Sequence, residues 1–516
     1  MSLKKLVLFG LPTLLLALTI CAVVLARHWP FSQARVRQSL QSTFPATVTF
    51  KRFRSTYFPH PGCVAEGLVF ARLGSTNGTP PVVTVEQLTI QAHYLDLLLR
   101  PGYLSEIVLK KFRVHIQPIG TPVEESNWQE TPSTTRVGEI VADGSSIQID
   151  RASGSPLLFA IPSLRLESVT DKQPLSFTVA LHIPLPPGDV RASGKFGPWN
   201  YDDPGQTPVA GEYTFQNADL SVFHGIAGIL YAHDKFQGIL RQIDSSGTVD
   251  IPNFMVTRSD HAIHLKSSFH ATVDGTNGDI QLDRVTVNFL NTSVLAKGEI
   301  AHHPGQDGKL TTMDLSVQNG HIQDVLRVFV HGHHPPLQGT TSFRAHVILP
   351  PGDQPFLHKL RLVGDFGIED GQFAKPATQI SVDTLSQRAL GEKVSPAVAP
   401  ANGDEGDASD PGGVISQLAG HVELRNATAT LSDLRFAVPG ASARMQGTYN
   451  LDTLAIDLHG TLKTDEEFSD LTSGFKSVML KPFNRFFRKK HAGAVLPVHL
   501  TGTYKKPEAG LDLPAK

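Results

Sequence analysis

Three groups of residues in this chain have the types and spacing that chemistry would use. His331, His333 and His334 fall together in VHGHHPP, with His302 and His303 in an earlier turn, and paired imidazoles of this kind can ligate zinc. No cysteine or carboxylate stands at a recognisable ligand spacing from them, and the following prolines place the segment in a loop. Asp274, Asn277, Asp279 and Asp283 in VDGTNGDIQLD have the composition of a calcium loop, but the closing Glu is missing. A tight hairpin accounts for the same residues. The sequence contains neither a Gly-x-Ser-x-Gly elbow nor a Walker A loop. The expectation is therefore a non-enzymatic protein with no catalytic residues, metal or cofactor.

The third group lies between Ser469 and Lys490. Phe475, Val478, Met479, Phe483, Phe486 and Phe487 recur at three- and four-residue spacing, while Lys476, Lys481, Arg485, Arg488, Lys489 and Lys490 supply positive charge. The pattern predicts a basic amphipathic helix over 469–490, kinked at Pro482. Such a helix could cap neighbouring strands. It could also contact a membrane through Phe475, Met479, Phe483 and Phe486 while Lys481, Arg485, Arg488 and Lys489 meet phosphates.

The elements that would position any site are strands. Beyond Pro45 apolar and polar residues alternate, which puts every second side chain on one face. Clear runs are Phe177, Val179, Leu181, Ile183; Ile263, Leu265, Phe269; and Phe343, Ala345, Val347, Leu349. Turn pairs such as Asp274-Gly275, Asn277-Gly278, Asp307-Gly308 and Asp370-Gly371 separate them, so the expected architecture is a mainly β antiparallel meander. Crossover helices long enough for a parallel β/α fold are missing. Helices are few and short: Asp219 is placed to cap one carrying Leu220, Phe223, Ile226 and Leu230, and Val325, Leu326 and Phe329 mark another. Residues 392–413, rich in Pro, Ala, Gly and acids with no aromatic residue, are expected to be a disordered insertion between similar strand regions at 29–391 and 414–516.

Charge is nearly balanced, with 46 Lys+Arg against 48 Asp+Glu, so no global field attracts nucleic acid. Only Cys21 and Cys63 are present, which excludes a disulfide framework in the soluble part. The uncharged run Leu6–Leu25 follows Lys4 and Lys5, and at about 1.5 Å per residue it matches a bilayer core of about 30 Å. It predicts a single N-terminal transmembrane anchor within residues 1–28; a cleaved signal peptide would have a shorter apolar region and a small-residue cleavage site. The two lysines favour a cytoplasmic N-terminus.

These features together resemble the AsmA family of bacterial envelope proteins. The matching stretches are the anchor, Thr47 to Phe53, Val82 to Ala92, the Leu-rich Tyr94 to Arg100, Ile107 to Ile116, and Leu496 to Leu513, which reads LPVHLTGTYKKPEAGLDL. Gly194 to Gly211 (GKFGPWNYDDPGQTPVAG) and Val438 to Tyr449 (VPGASARMQGTY) are also similar to the family's C-terminal region. The resemblance implies an inner-membrane, single-pass protein that projects an elongated antiparallel β-sheet into the periplasm, curled into a groove. It implies partners too: the membrane, phospholipid and other envelope proteins, in outer-membrane biogenesis. The expected groove lining is Phe177, Val179, Leu181, Ile183, Ile263, Leu265, Phe269, Phe343 and Val347. Residue alternation alone allows a β-sandwich equally, with the same faces sealed against each other. If some 20 to 25 strands stack at about 4.8 Å, the groove would be ~100 to 120 Å long.

Overall fold

The computed structural model describes residues 29–43, 46–72, 81–100, 102–117, 135–150, 155–170, 172–304, 308–330, 335–390, 413–464, 495–503 and 506–512. Leu6–Leu25, the 392–412 stretch, the 469–490 segment and His331, His333 and His334 lie outside them. Among the described residues no helix is long and apolar enough to cross a membrane. The chain forms two compact units, residues 1–185 with 189–213, and residues 186–188 with 214–516.

The first unit starts with α1 (Gln33–Thr43), β1 (Ala46–Thr49), β2 (Arg52–Thr56), β3 (Gly62–Arg72) and β4 (Val83–Gln91). Next come α2 (Tyr94–Leu99), β5 (Tyr103–Lys110), β6 (Arg113–Ile116), β7 (Arg136–Ile149), β8 (Leu157–Val169) and β9 (Leu175–Pro184). Strands β1 and β2 both pair with β3, β3 with β4, and β4 with β5 and β6, all antiparallel. One feature departs from the expected meander, because β5 and β6 run parallel to β7. Parallel neighbours need a connection of a dozen residues or more, and the stretch between Ile116 and Arg136 provides it. Alternation along a strand reports which face is buried but not which way its neighbour runs. Val36 of α1 buries with Val48, Leu68, Phe70, Val85, Leu88 and Ile90, joined by Trp29 and Phe31 just upstream. Cys63 lies in this core, and burial pushes its thiol up to about 12.

Strands β10 (Pro187–Phe196) and β11 (Pro208–Asp219) contribute residues to both units. The second unit continues with β12 (Ile226–Ala227), β13 (Ile229–Ile239), β14 (Gln242–Val256), β15 (Ile263–Asp274), β16 (Asp279–Phe289), β17 (Thr292–His302) and β18 (Lys309–His321). Beyond α3 (Ile322–Phe329) come β19 (Leu337–Leu349), α4 (Phe356–Lys359), β20 (Arg361–Phe373) and α5 (Pro376–Ala389). The last strands are β21 (Ser416–Arg425), β22 (Thr428–Val438), β23 (Ala441–Asn450), β24 (Ala455–Thr464), β25 (Val495–Thr503) and β26 (Lys506–Leu511). From β13 to β26 every strand pairs antiparallel with the next. Because β20 pairs directly with β21, residues 391–412 interrupt the chain without interrupting the sheet.

Local chemistry explains the joints. The VDGTNGDIQLD segment is a hairpin turn: the Asp274 carboxylate accepts from the backbone and hydroxyl of Thr276 at 2.9 and 2.5 Å, and Asp279 ion-pairs with Lys309 at 3.0 Å. The helix expected after Asp219 is instead a single turn, Leu220–Val222, followed by strands. Asp219 does cap it, accepting from the Ser221 N–H at 2.9 Å, but the backbone is already extended at Phe223, and Gly225 (φ +103°) and Gly228 (φ +138°) follow in conformations no helix contains. The helix expected around Val325, Leu326 and Phe329 is α3, and its buried Asp324 accepts from Asn291 N–H and the Thr292 hydroxyl, each at 2.9 Å.

Candidate functional site

The register of the second unit assembles one apolar face from many strands. Directly opposed residues in a β-ladder share a face, and the pairings carry a single row from β14 to β26: Gly247, Phe269, Val285, Ala296, Leu315, Ala345, Gly364, Val422, Leu431, Gly447, Leu458, Leu500 and Ala509. Every member is apolar or glycine. A parallel row runs Ala271, Leu282, Gly298, Met313, Val347, Leu362 and Leu424. Most of these side chains are half-buried rather than sealed.

Two observations show that this face is the inside of a curl. The first is glycine. A Cβ on Gly364 would lie 2.4 Å from the Arg344 carbonyl oxygen and 2.6 Å from the Ala345 Cβ, and one on Gly447 (φ +150°) would lie 1.9 Å from the Asp457 oxygen. Both positions sit in the apolar row, so neighbouring strands pinch together on that side, where any side chain would hold them apart. The second is a clasp. Arg258, just after β14, meets the Asp452 carboxylate at 2.6 Å and also donates to the Asp452 backbone carbonyl, and His358 of α4 reaches the same carboxylate at 2.9 Å. Asp452 lies in the turn after β23. Nine strand spacings of about 4.8 Å would separate these points by roughly 40 Å in a flat sheet. The segment carrying α4 is pinned at the same place, with Phe356 N–H donating to His224 O at 2.8 Å and Ala427 N–H to Leu357 O at 3.2 Å. Phe356 packs on Val347, Leu362 and Leu424 of the apolar face, so the clasp closes over that face.

No family model, curated protein or solved structure matches the chain.

The expected lining residues divide between the units. Phe177, Val179, Leu181 and Ile183 share one face of β9 in the first unit, half-buried, with Phe177 opposite Leu166 and Val179 opposite Leu164. Leu265, Phe269 and Phe343 are half-buried on the apolar face of the second unit. Two residues are closed off. Ile263, 5% exposed, is sealed with Val256 under Val328 of α3, and Val347, 4% exposed, is sealed with Leu360 and Leu424 beside α4. Alternation could not reveal this, since nothing in a strand's own sequence says which of its ends a distant helix covers.

The opposite face carries charge that the strand runs left unassigned. His264 pairs with Asp250 at 2.6 Å, His270 with Asp244 at 2.8 Å and Asp283 at 3.2 Å, His346 with Asp314 at 2.9 Å, and His421 with Asp365 at 2.7 Å. Each pair bridges adjacent strands. The signal was legible as His and Asp at the polar phase of the alternation, but the partners are set only by register. A depression of about 670 Å³ lies on this charged face, bounded by Asp283, Lys297, Arg344, His346, Asp365 and His421. Both signs of charge line it beside the exposed Leu295 and Val363, a mixture that does not suit a polyanion. Among the described residues no group of three or more His, Cys, Asp or Glu is placed to hold a metal.

Proposed function

We propose that this is an AsmA-like protein of the bacterial envelope, anchored in the inner membrane by Leu6–Leu25, with its β-rich part in the periplasm. In this reading it binds or conducts phospholipid along the apolar face, without catalysis, in support of outer-membrane biogenesis. The observation that carries the proposal is the mostly half-buried apolar row that runs from β14 to β26 on the inside of a curl. A monomeric protein rarely leaves so continuous an apolar surface partly open unless something occupies it. Acyl chains suit such a surface, because each methylene removed from water contributes roughly 0.8 kcal/mol without any need for hydrogen-bonding partners. The pairing of apolar inside with ion-paired outside also fits a conduit in water.

The rival reading is a scaffold that gathers envelope proteins by strand addition at a sheet edge. It has weaker support. Strand β26 is short and carries Lys506 and Pro507, residues that discourage edge pairing.

The test combines mass spectrometry of lipid retained by the detergent-extracted protein with melting of two variants. Leu265→Asp places a charge on the half-open face, and Val179→Asp does the same in the first unit. A conduit loses bound lipid while the fold survives, because water reaches the new charge once lipid leaves. Unfolding of both variants would instead mean a sealed core, where an unpaired charge costs several kcal/mol. Full lipid load on folded variants would remove these residues from the lining.

A further inference from the structure

The first unit carries an apolar patch that its own core does not use. Helix α2 has no buried residue; only Leu97 leans on the core. Leu95, Leu98 and Leu99 are 71, 79 and 73% exposed, and Phe58, on the neighbouring loop, is 88% exposed. The Tyr94 hydroxyl donates to the Tyr57 backbone carbonyl, which joins the helix and the loop into one surface. Both tyrosines are themselves about half exposed. Large apolar side chains gathered this way in water mark a docking surface.

Position identifies the occupant. Tyr57 stacks against Trp29 with ring centroids 4.7 Å apart, and Trp29 is buried in the unit's core beside Phe31, at 5.8 Å. Trp29 comes four residues after Leu25, the end of the uncharged run. Four residues reach at most roughly 14 Å even when extended. Wherever Leu6–Leu25 enters a bilayer, Trp29 is held within about that distance of its surface, and Tyr57, which joins the loop and α2, stacks directly on Trp29. The chemistry agrees: leucines and a phenylalanine suit the acyl boundary, tyrosines suit the headgroup layer, and the exposed Arg100, which follows Leu99 and pairs with Asp96 at 3.8 Å, brings a cation to the end of the helix.

We infer that Phe58 and the outer face of α2 insert into the headgroup layer of the membrane that the N-terminal run enters, as a second, peripheral contact that fixes how the first unit stands on the bilayer. This rests on the anchor reading, and the experiment separates the two. The full chain, with Cys21→Ala and Leu98→Cys, is labelled at position 98 with an environment-sensitive fluorophore; the buried Cys63 thiol, held up at about 12, stays unlabelled. It is reconstituted into phosphatidylethanolamine/phosphatidylglycerol vesicles containing spin-labelled lipid, next to a chain labelled through Asp365→Cys on the charged face of the second unit. The expected result is loss of most emission at position 98, with a blue shift, and none at position 365. Quenching at 98 by aqueous iodide alone, to the same extent as at 365, overturns the contact. Burial of the label in detergent that rises with protein concentration, without lipid quenching, would assign the patch to a second copy and overturns it too. Alkaline carbonate extraction of the same vesicles reports the anchor independently: release of a chain whose position 98 is still lipid-quenched sinks the anchor and keeps the contact.

Discussion

His459 shows how a single exposed residue can tune this sheet. Its ring N–H groups donate to Asp512 at 2.5 Å and Asp457 at 3.0 Å, and these two carboxylates, Asp512 foremost, raise its pKa above the ordinary value of 6.5. A histidine whose folded pKa is raised contributes stability that is fully present below 6.5 and fades as pH rises through the folded value. Removing Asp512 should therefore matter only at the acid side of that window. We expect Asp512→Asn to shift the His459 titration, followed by NMR, back toward 6.5, and to lower stability at pH 6 more than at pH 9. Equal loss at both values would mean that Asp512 acts through packing of the last strands and not through charge.

At the scale of elements, the short helices of the second unit matter more than their length suggests, because α3, α4 and α5 each cover part of the apolar face. Helix α3 covers Ile263 with Val328, and its Asp324 is fastened to the β16–β17 turn by two hydrogen bonds. Asp324→Ala leaves the buried Thr292 hydroxyl without that acceptor and frees the Asn291 N–H, a change that costs about 1–3 kcal/mol. Denaturant titration should show this as a lower midpoint with an unchanged slope. Helix α5 does comparable work across the insertion: Gln379 accepts from Phe373 N–H at 2.8 Å and donates to Val414 O at 3.0 Å, while Asp383 accepts from Val414 N–H at 2.8 Å. These bonds span 391–412 without using it. The sequence placed α3 correctly, because apolar side chains at helical spacing are a local signal. It misjudged the segment after Asp219, where a good cap starts only a single turn and the backbone is extended again from Phe223.

For the second unit as a whole, the curl is held by few interactions. Arg258, Asp452 and His358 join points that the ladder separates by nine strands, and the ion pair is partly exposed, so its direct contribution to stability is about 0–1 kcal/mol. Its effect on shape should exceed its effect on stability. Arg258→Gln with Asp452→Asn is expected to change the melting temperature little while raising binding of an apolar dye to the opened face; unchanged dye binding would show that the glycine pinches alone hold the curl. Phe356 and the backbone bonds of its segment would then be the elements to loosen next.

The sequence by itself determined that the chain is mainly β, which side chains share a face, where the hairpins turn, and that no familiar catalytic or metal motif is present, because each of these follows from residues within a few positions of one another. The tertiary structure decided what those faces do. Register turned separate runs such as Phe269, Leu315 and Leu458 into one row, and it paired histidines with aspartates on neighbouring strands. Whether an apolar face is sealed, as at Ile263, or left half open, as at Leu265, depends on a helix more than 50 residues downstream. The exposure of α2 was undecidable from its sequence for the same reason: a Leu-rich turn is written identically for a core and for a surface, and only the packing of Leu97 alone against the core shows which it is.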